Sequence, residues 1–494
     1  MSEKFDVVVV GARCAGSPLA TLLAHEGVRV ALVERAEFPC DTLSTHIFEA
    51  PGINLLGRLG VLDRVRATGA EPIRRLDFRQ DEFAARIEPP LWPGDAGGAM
   101  SVRRFLLDPI LAEAAAEAGA EVIMQTNVTG LVQNGRVTGV RVQSSGSERV
   151  LSARLVVGAD GRNSTVAKLT GARKYHVVPG QRFGYWGFFE GADAGGAPEL
   201  VFHHWDGRVV IACPADSGLY QVIVVPDMRL MPQFRASLER AFMQQAQACT
   251  PVAERLRRAR RVGKLRGSVR WESFFRESAG PGWALVGDAG HFKDPTLGQG
   301  MTDAFRQAAA MAPAIARAIG RSDSELDDAM AAWTRWRDDD AFEHHWMACD
   351  LGAAGRSPAV LPAMMSRLEG RGELGRFTDV FQHRALPARV FTSRLLLSTA
   401  AAMLARGGCA RPAVLREVAQ LVMNDACRKR LRRHPVFVDQ SAPPDAVKTD
   451  VPQEPAPPLG ACRPTENDQH ENPDLRTRSL GVLTVPSEIE YREC

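Results

Sequence analysis

The sequence predicts an α/β chain: a parallel sheet interrupted by an antiparallel insert, then a helical region and a proline-rich tail. Three observations predict it. Apolar runs rich in β-branched residues, within Phe5–Val10, Ala153–Gly161 and Trp283–Gly290, each lead into a glycine loop, as buried parallel strands do. Between the second and third, Tyr175 to Val225 carries aromatic strand-like stretches separated by glycine-rich turns. From Met301 to about Arg433 the pattern is mostly helical.

Bulk properties exclude several classes. The 494 residues fit two or three domains, or one large domain with insertions, and 45% hydrophobic content is ample for a core. With 61 basic and 58 acidic residues, nothing calls for a nucleic-acid partner. The nine cysteines are scattered and form no C-x-x-C pair, which fits reduced thiols and a cytoplasmic location rather than zinc or a redox dithiol. MSEKFD lacks the features of a secretory leader. LLLSTAAAMLA, Leu395 to Ala405, is too short for a membrane span and reads as a buried helix.

Taken in order, Phe5–Val10, a glycine loop, a helix carrying Leu19, Leu22 and Leu23, and the strand Val28–Glu34 make one βαβ unit. A helix follows within Ser101–Gly119, then a hairpin turning at Asn134-Gly135. FGYWGFFEG, ELVFHHW and YQVIVV are strands of the insert. Of Trp186, Phe188, Phe189 and Trp205, at best about half face a substrate pocket, because side chains alternate along a strand. Ser322 and Glu325 form a capping box ahead of a helix with Trp333 and Trp336. From Gln440 the composition turns to Pro, Asp, Glu, Asn and Gln, a disordered tail.

Three stretches carry chemistry. In GARCAG, Gly11 permits the tight turn and Gly16 the close packing of helix on strand. Arg13 takes the place of a second glycine; its Cβ crowds a pyrophosphate slightly, yet its guanidinium can bind phosphate oxygens. Glu34 ends the next strand, where an acid accepts ribose hydroxyls. In GADGRNSTVAKLTG, Asp160 and Gly161 form a turn, and Asn163 or Ser164 caps a helix. In GDAGHFKDPTLGQGM, Asp288 stands at a strand's carboxyl end, Gly298 and Gly300 free backbone amides for a ligand, and Gly300 is a position where φ > 0 is expected. A helix from about Met301 aims its positive end at negative charge. Each stretch alone also fits an ordinary strand–turn–helix connection.

Together, in this order and spacing, the three resemble the FAD-dependent monooxygenase superfamily typified by para-hydroxybenzoate hydroxylase. Within it they are nearest the branch of geranylgeranyl reductases and flavin-dependent halogenases, whose first loop is often G-A-R-x-A-G. The resemblance covers about Phe5 to Gly320 and implies a Rossmann-like FAD-binding domain. In it Gly11, Arg13 and Gly16 surround the pyrophosphate, Glu34 binds the adenosine ribose and Asp288 the ribitol or pyrophosphate. Gly298 to Met301, with Gly300 among them, lie beside the flavin pyrimidine. SVRRFLLD matches an R-x-x-L-D helix start, placing Arg104 near FAD; TNV points to Val128 beside adenine. Ala15, Arg35, Ser44, Thr45, His46, Asp160 and Pro295 complete the implied cofactor-binding set. No catalytic or metal-binding residue is assigned. Implied boundaries are 1–174 for FAD binding with an excursion at about 75–100, 175–275 for the substrate sheet, 276–320 completing the FAD domain, 321–438 helical and 439–494 the tail.

The chain departs from the family at Arg13, at Gln307 where aspartate is common, and at DTLSTH, Asp41 to His46, which replaces an arginine-glycine segment beside the ring. It has no second G-x-G-x-x-G, no C-x-x-x-x-C and no W-x-W-x-I-P. The implied activity uses NAD(P)H and O2 to hydroxylate or epoxidise an apolar small molecule through a flavin hydroperoxide. Alternatives are an isoprenoid-type reductase, a halogenase-like enzyme, or a non-catalytic flavin-binding protein. His46 reads as a hydrogen-bonded loop histidine, with a role at the flavin ring as the alternative. His203, His204, His344 and His345 read as sheet and helix surface. CRKRLRRH, Cys427 to His434, reads as a solvated helix end, with weak contact to an anionic membrane surface as the alternative.

Overall fold

Four apolar strands lie side by side and parallel in the order Trp283–Leu285, Leu155–Gly158, Val7–Val10, Val30–Val33. Every residue of Val7–Val10 is at most 6% exposed, as strands covered on both faces require. Glu121–Ile123 extends the sheet at one edge, and Ala279–Gly280 adds a short antiparallel strand at the other. The computed structural model describes residues 3–40, 42, 44–193, 195–406 and 411–438. The segment 439–494, expected to be disordered, lies outside the described residues, as do Asp41 and Leu43 of DTLSTH.

The opening strand is shorter than the apolar run. Asp6 interrupts it and accepts from the Arg29 amide at 3.0 Å, while Glu3–Lys4 pairs elsewhere, with Leu151–Ser152. The hairpin Asn127–Gln133/Val137–Ser144 turns at Gly135, φ +70°, and belongs to that second sheet.

The insert forms a seven-stranded sheet in the order Arg260–Ser268, Gly184–Glu190, Tyr220–Val224, Arg208–Pro214, Glu199–Trp205, Arg75–Gln80, Phe83–Ile87. The last two strands come from far upstream, and Arg75–Gln80 pairs parallel to Glu199–Trp205 in an otherwise antiparallel array. Lys174–Pro179 and Glu272–Arg276, which bracket the insert, pair with each other in a separate small sheet.

Beyond residue 300 the chain is helical. Gly300–Ala318 packs on the opening helix Gly16–His25 through the apolar side chains of one core cluster. Ser322 and Glu325 close the capping box at the start of Asp323–Leu351. Two expectations are corrected here. Leu395 to Ala405 does lie in a helix, Ser393–Arg406, but it is amphipathic rather than buried: Leu395 is covered, and Leu397 is 56% exposed. The histidine pairs are not surface residues; His203, His204, His344 and His345 are all buried. Burial is possible because most meet tertiary partners that local sequence does not announce. His203 Nε2 meets Asp77, His204 meets Arg182, and His345 meets the His176 carbonyl, while His344 stacks on His383. The basic run ends the helix Arg411–Arg433, and its Arg428 and Arg432 pair with Asp350 and Asp339 of the long helix. Among the described residues no helix is long and apolar enough to cross a membrane.

Candidate functional site

The carboxyl ends of the four parallel strands align in register at Leu285, Gly158, Val10 and Val33. Their loops are therefore neighbours, at the place where such sheets bind ligands. Contacts at glycine show how closely they meet. A Cβ on Gly11 (φ +102°) would lie 2.6 Å from the Ala159 carbonyl oxygen of the second loop. A Cβ on Gly287 (φ +63°) would lie 2.9 Å from the Ala15 Cβ of the first. Gly16 is tighter still, its missing Cβ falling 1.8 Å from the Gly11 oxygen.

This convergence leaves amides without partners. The opening helix has no side-chain cap, and among the described residues the amides of Arg13, Cys14 and Ala15 have no acceptor. The helix Gly300–Ala318 is likewise uncapped; its first closing bond runs from the Asp303 amide to Gln299. Two helix N-termini thus offer donors and positive dipole ends.

Two guanidiniums and a buried carboxylate meet at the first loop. Arg13 does not project freely: its guanidinium donates to Asp108 at 3.0 Å and to Cys40 Sγ at 3.3 Å. Arg104 donates to the same carboxylate at 2.6 and 3.0 Å. Two guanidiniums share one fully buried carboxylate beside the unpartnered amides, with the Glu34 and Asp288 carboxylates acting on the same cluster. Glu34 braces the loop, accepting from the Ala12 amide at 2.8 Å and the Ala36 amide at 3.1 Å. Arg35 next to it is exposed. Glu34→Ala is expected to lower stability by about 1–3 kcal/mol even without ligand, because the buried Ala12 amide loses its acceptor. Thermal melts of the ligand-free variant check this; an unchanged midpoint would show that the brace is dispensable.

Asp160 serves its helix. Its Oδ2 accepts from the Thr165 and Val166 amides at 2.6 and 3.2 Å, Ser164 caps from the Ala167 amide, and Asp160 Oδ1 is buried without a partner among the described residues. Asp288 sits in a one-turn helix, Gly287–Ala289, past the strand end rather than at it. Burial pushes its carboxyl up to about 6, against the pull of Arg162 and Arg104. The Gly287 amide donates to Gln307 at 2.9 Å, so glutamine supplies here an acceptor to hold the third loop. Pro295 opens the turn Pro295–Leu297, and Gly298 takes the left-handed conformation at φ +68°. Gly300 does not: it begins the helix in ordinary backbone, and a Cβ there would meet no atom within 4 Å. Left-handed backbone is needed at Gly298, where the chain leaves the one-turn helix, and at Gly300 only open space is. Val128 stands in the neighbouring sheet opposite Val142, against the cluster that holds Val10 and Val33.

The DTLSTH segment meets the third loop. Ser44 Oγ lies 3.2 Å from Met301 Sδ and accepts from the His46 amide, with Thr45 half-buried between them. His46 has φ +59° and accepts from the Arg104 amide through Nδ1 at 3.1 Å. Burial, then Arg104 and Arg103, pushes its pKa down to about 3, so it is neutral. Its ring faces the insert sheet edge-on to Trp186 and Phe188 at 6.3 and 5.5 Å. Register places Gln221 opposite Phe188 and Cys213 opposite Gln221, on the same face. Phe189 points away, onto Phe242. Ser101 donates to Gln221 Oε1 at 3.0 Å, while Gln221 Nε2 is buried without an acceptor among the described residues. Burial pushes the Glu49 carboxyl up to about 7 despite Arg384. Glu49, Ser101 and Gln221 were not legible in the sequence, since no spacing rule links them.

A family model described as FAD binding domain matches residues 4–335. The chain belongs to the FAD-binding domain family. It is an FAD-dependent oxidoreductase. Its FAD-binding region is similar to 6-methylpretetramide 4-monooxygenase of Streptomyces rimosus, 28% identical over 67% of this chain and 80% of the relative. It is also similar to digeranylgeranylglycerophospholipid reductase of Methanothrix thermoacetophila, 27% identical over 67% and 83%. The solved structure of the flavin-dependent brominase Bmp2 shares the fold, with TM-score 0.66 and 18% identity over 86% of this chain and all of that one. The residues fit FAD: glycines lie where a Cβ would fill the cradle, and unpartnered amides of two helix ends, with the guanidiniums of Arg13 and Arg104 beside the first, suit a pyrophosphate.

Proposed function

We propose that this FAD-dependent oxidoreductase is a cytoplasmic monooxygenase using NAD(P)H and O2 to hydroxylate or epoxidise an apolar, aromatic or polyketide-like small molecule. The observation that carries the reading is the apolar face made by Trp186 and Phe188 against neutral His46. It is mainly aromatic, with the Arg103 guanidinium over Phe188 at 5.8 Å, and among the described residues it holds two buried donors without acceptors, Trp186 Nε1 and Gln221 Nε2. Such a surface takes a flat apolar body and fixes it through a carbonyl or hydroxyl oxygen. The similarity to a monooxygenase named for a pretetramide substrate supports the same class.

Bound FAD supplies the electron transfer and oxygen chemistry. The protein supplies position and charge. In this reading Gly11, Arg13, Ala15 and Gly16 hold the pyrophosphate, with Arg104 adding charge. Glu34 orients the ribose, and Asp288 and the Pro295–Met301 turn hold the ribitol and ring. The amides of Gly300 to Thr302 stabilise negative charge at the ring's edge, and the insert sheet closes the site from water.

Aerobic NAD(P)H oxidation by the FAD-loaded protein, screened with aromatic polyketides under labelled O2, tests it. One labelled oxygen atom is expected in the product. Anaerobic turnover with a product that gains two hydrogens would replace the reading with a reductase, and halide-dependent product with a halogenase. Flavin loading without NAD(P)H oxidation under any substrate would leave a flavin-binding protein.

A further inference from the structure

The large sheet has a second face, and it carries reactive groups that the flavin site does not use. Phe202 aligns across the strands with Ile211, Ile223 and Trp186, so it shares the face turned to His46. His203, one residue on, takes the opposite face. There its Nε2 meets Asp77 Oδ1 at 2.9 Å, and Cys249 Sγ lies 3.4 Å from its Nδ1. The carboxylate fixes the tautomer: Nε2–H donates to Asp77, leaving Nδ1 to accept from the thiol. Cys249 enters from the turn before the helix Thr250–Arg255.

A cavity of about 280 Å³ opens beside this chain of groups, lined by Cys249, His203, Arg79, Trp205 and Thr250 among others. Arg79 lies over the Trp205 ring at 5.7 Å and donates to the Asp81 carbonyl, with no carboxylate partner among the described residues. The acidic residues of the cavity wall, Asp81 and Glu82, are both engaged by Arg356. The cavity therefore presents a guanidinium that makes no ion pair among the described residues, next to a thiol, an imidazole and a carboxylate in line.

The geometry points to a second, flavin-independent site in which Cys249 is a nucleophile, His203 its base, Asp77 the orienting group and Arg79 the selector for small carboxylate-bearing electrophiles. In the step, a bond forms from sulfur to the electrophilic carbon as the carbon's bond to its leaving group breaks. The leaving group departs with the electron pair. The thiol proton passes to His203 Nδ1, and Asp77 holds the imidazolium that results. Burial pushes the Cys249 thiol up to about 12, so it rests protonated and ionises only as the new bond forms. Cys213 is an internal control: its thiol is buried and likewise pushed up to about 12, and among the described residues it has no imidazole partner.

Iodoacetate is the probe, applied to folded, FAD-loaded protein with mass mapping of each cysteine. Cys249 is expected to be carboxymethylated about tenfold faster or more than Cys213, and about tenfold slower in His203→Gln and in Asp77→Asn. Iodoacetate is expected to outrun neutral iodoacetamide at Cys249, and the order to reverse in Arg79→Gln. Retained far-ultraviolet circular dichroism and flavin absorbance qualify each variant; if His203→Gln does not fold, Asp77→Asn decides. Cys249 labelling no faster than Cys213, or at a rate indifferent to these substitutions, overturns the site. Faster reaction with iodoacetamide in the unaltered protein overturns the role of Arg79. Neither result bears on flavin turnover, so the two readings stand or fall separately.

Discussion

Asp303→Ala is expected to destabilise the folded protein by about 3–5 kcal/mol, because it strips the shared partner from buried cationic and imidazole groups. Asp303 lies in the helix that follows the third loop. Its carboxylate accepts from Lys293 Nζ at 2.6 Å and contacts His383 Nδ1 at 2.7 Å. Lys293 is 6% exposed and among the described residues has in addition only Gln299 Oε1, at 2.6 Å. Gln299 in turn donates to the carbonyls of Val380 and Phe381, so the substitution loosens the join between the third loop and the C-terminal helices. Burial alone would raise the Asp303 pKa, but Lys293 and His383 overrule it and hold the carboxyl well below 3.8. A depressed carboxyl contributes stability that is complete above its unfolded value and is lost as the pH falls through the folded one. The gap between Asp303→Ala and the unaltered protein should therefore be widest near neutrality and narrow below about pH 4. Urea titrations at pH 7 and pH 3.5 measure it; a gap that is small at pH 7, or that widens on acidification, would refute the network's role.

Gly16→Ala is expected to abolish FAD retention, and in the severe case folding. One methyl group placed 1.8 Å from the Gly11 oxygen and 3.2 Å from the Ala159 Cβ cannot be absorbed by a rotamer change, since backbone is what it meets. Either the first loop or the strand behind it must move, and with it the amides of Arg13 to Ala15. Gly300→Ala is the matched control: its added carbon meets nothing, so the chain should fold with at least its original stability. The ratio of flavin to protein absorbance after gel filtration compares the two. Full flavin content in Gly16→Ala would mean that the cradle is not where FAD binds.

The three loops were legible because their signals are local: an apolar run, a glycine, a helix start. Gly11, Gly16 and Ser164 take the structural roles that their neighbours in sequence imply. What failed was long-range. The partner that orients Arg13 was not legible: Asp108 comes from a helix whose start was recognised while its carboxylate's role was not. The histidine pairs looked solvated because imidazole is polar; their burial follows from Asp77 and Arg182, which no periodicity ties to them. Gly300 was assigned a strained backbone that falls two residues earlier, at Gly298, because a G-x-G pair does not say which glycine turns.

The parallel pairing of Arg75–Gln80 with Glu199–Trp205 has a consequence for how the chain is made. At typical elongation rates of ~5–20 residues per second, Glu199 leaves the ribosome on the order of ten seconds after Ile87. Through that interval the upstream hairpin waits with one edge unpaired and Phe78 and Phe83 uncovered. The parallel strand Leu155–Gly158 waits likewise, since its outer neighbour Trp283–Leu285 is the last parallel strand to arrive. A nascent chain stalled before Arg260 has neither sheet complete, so slow translation and scarce chaperones should reduce the yield of this protein well before they reduce its activity.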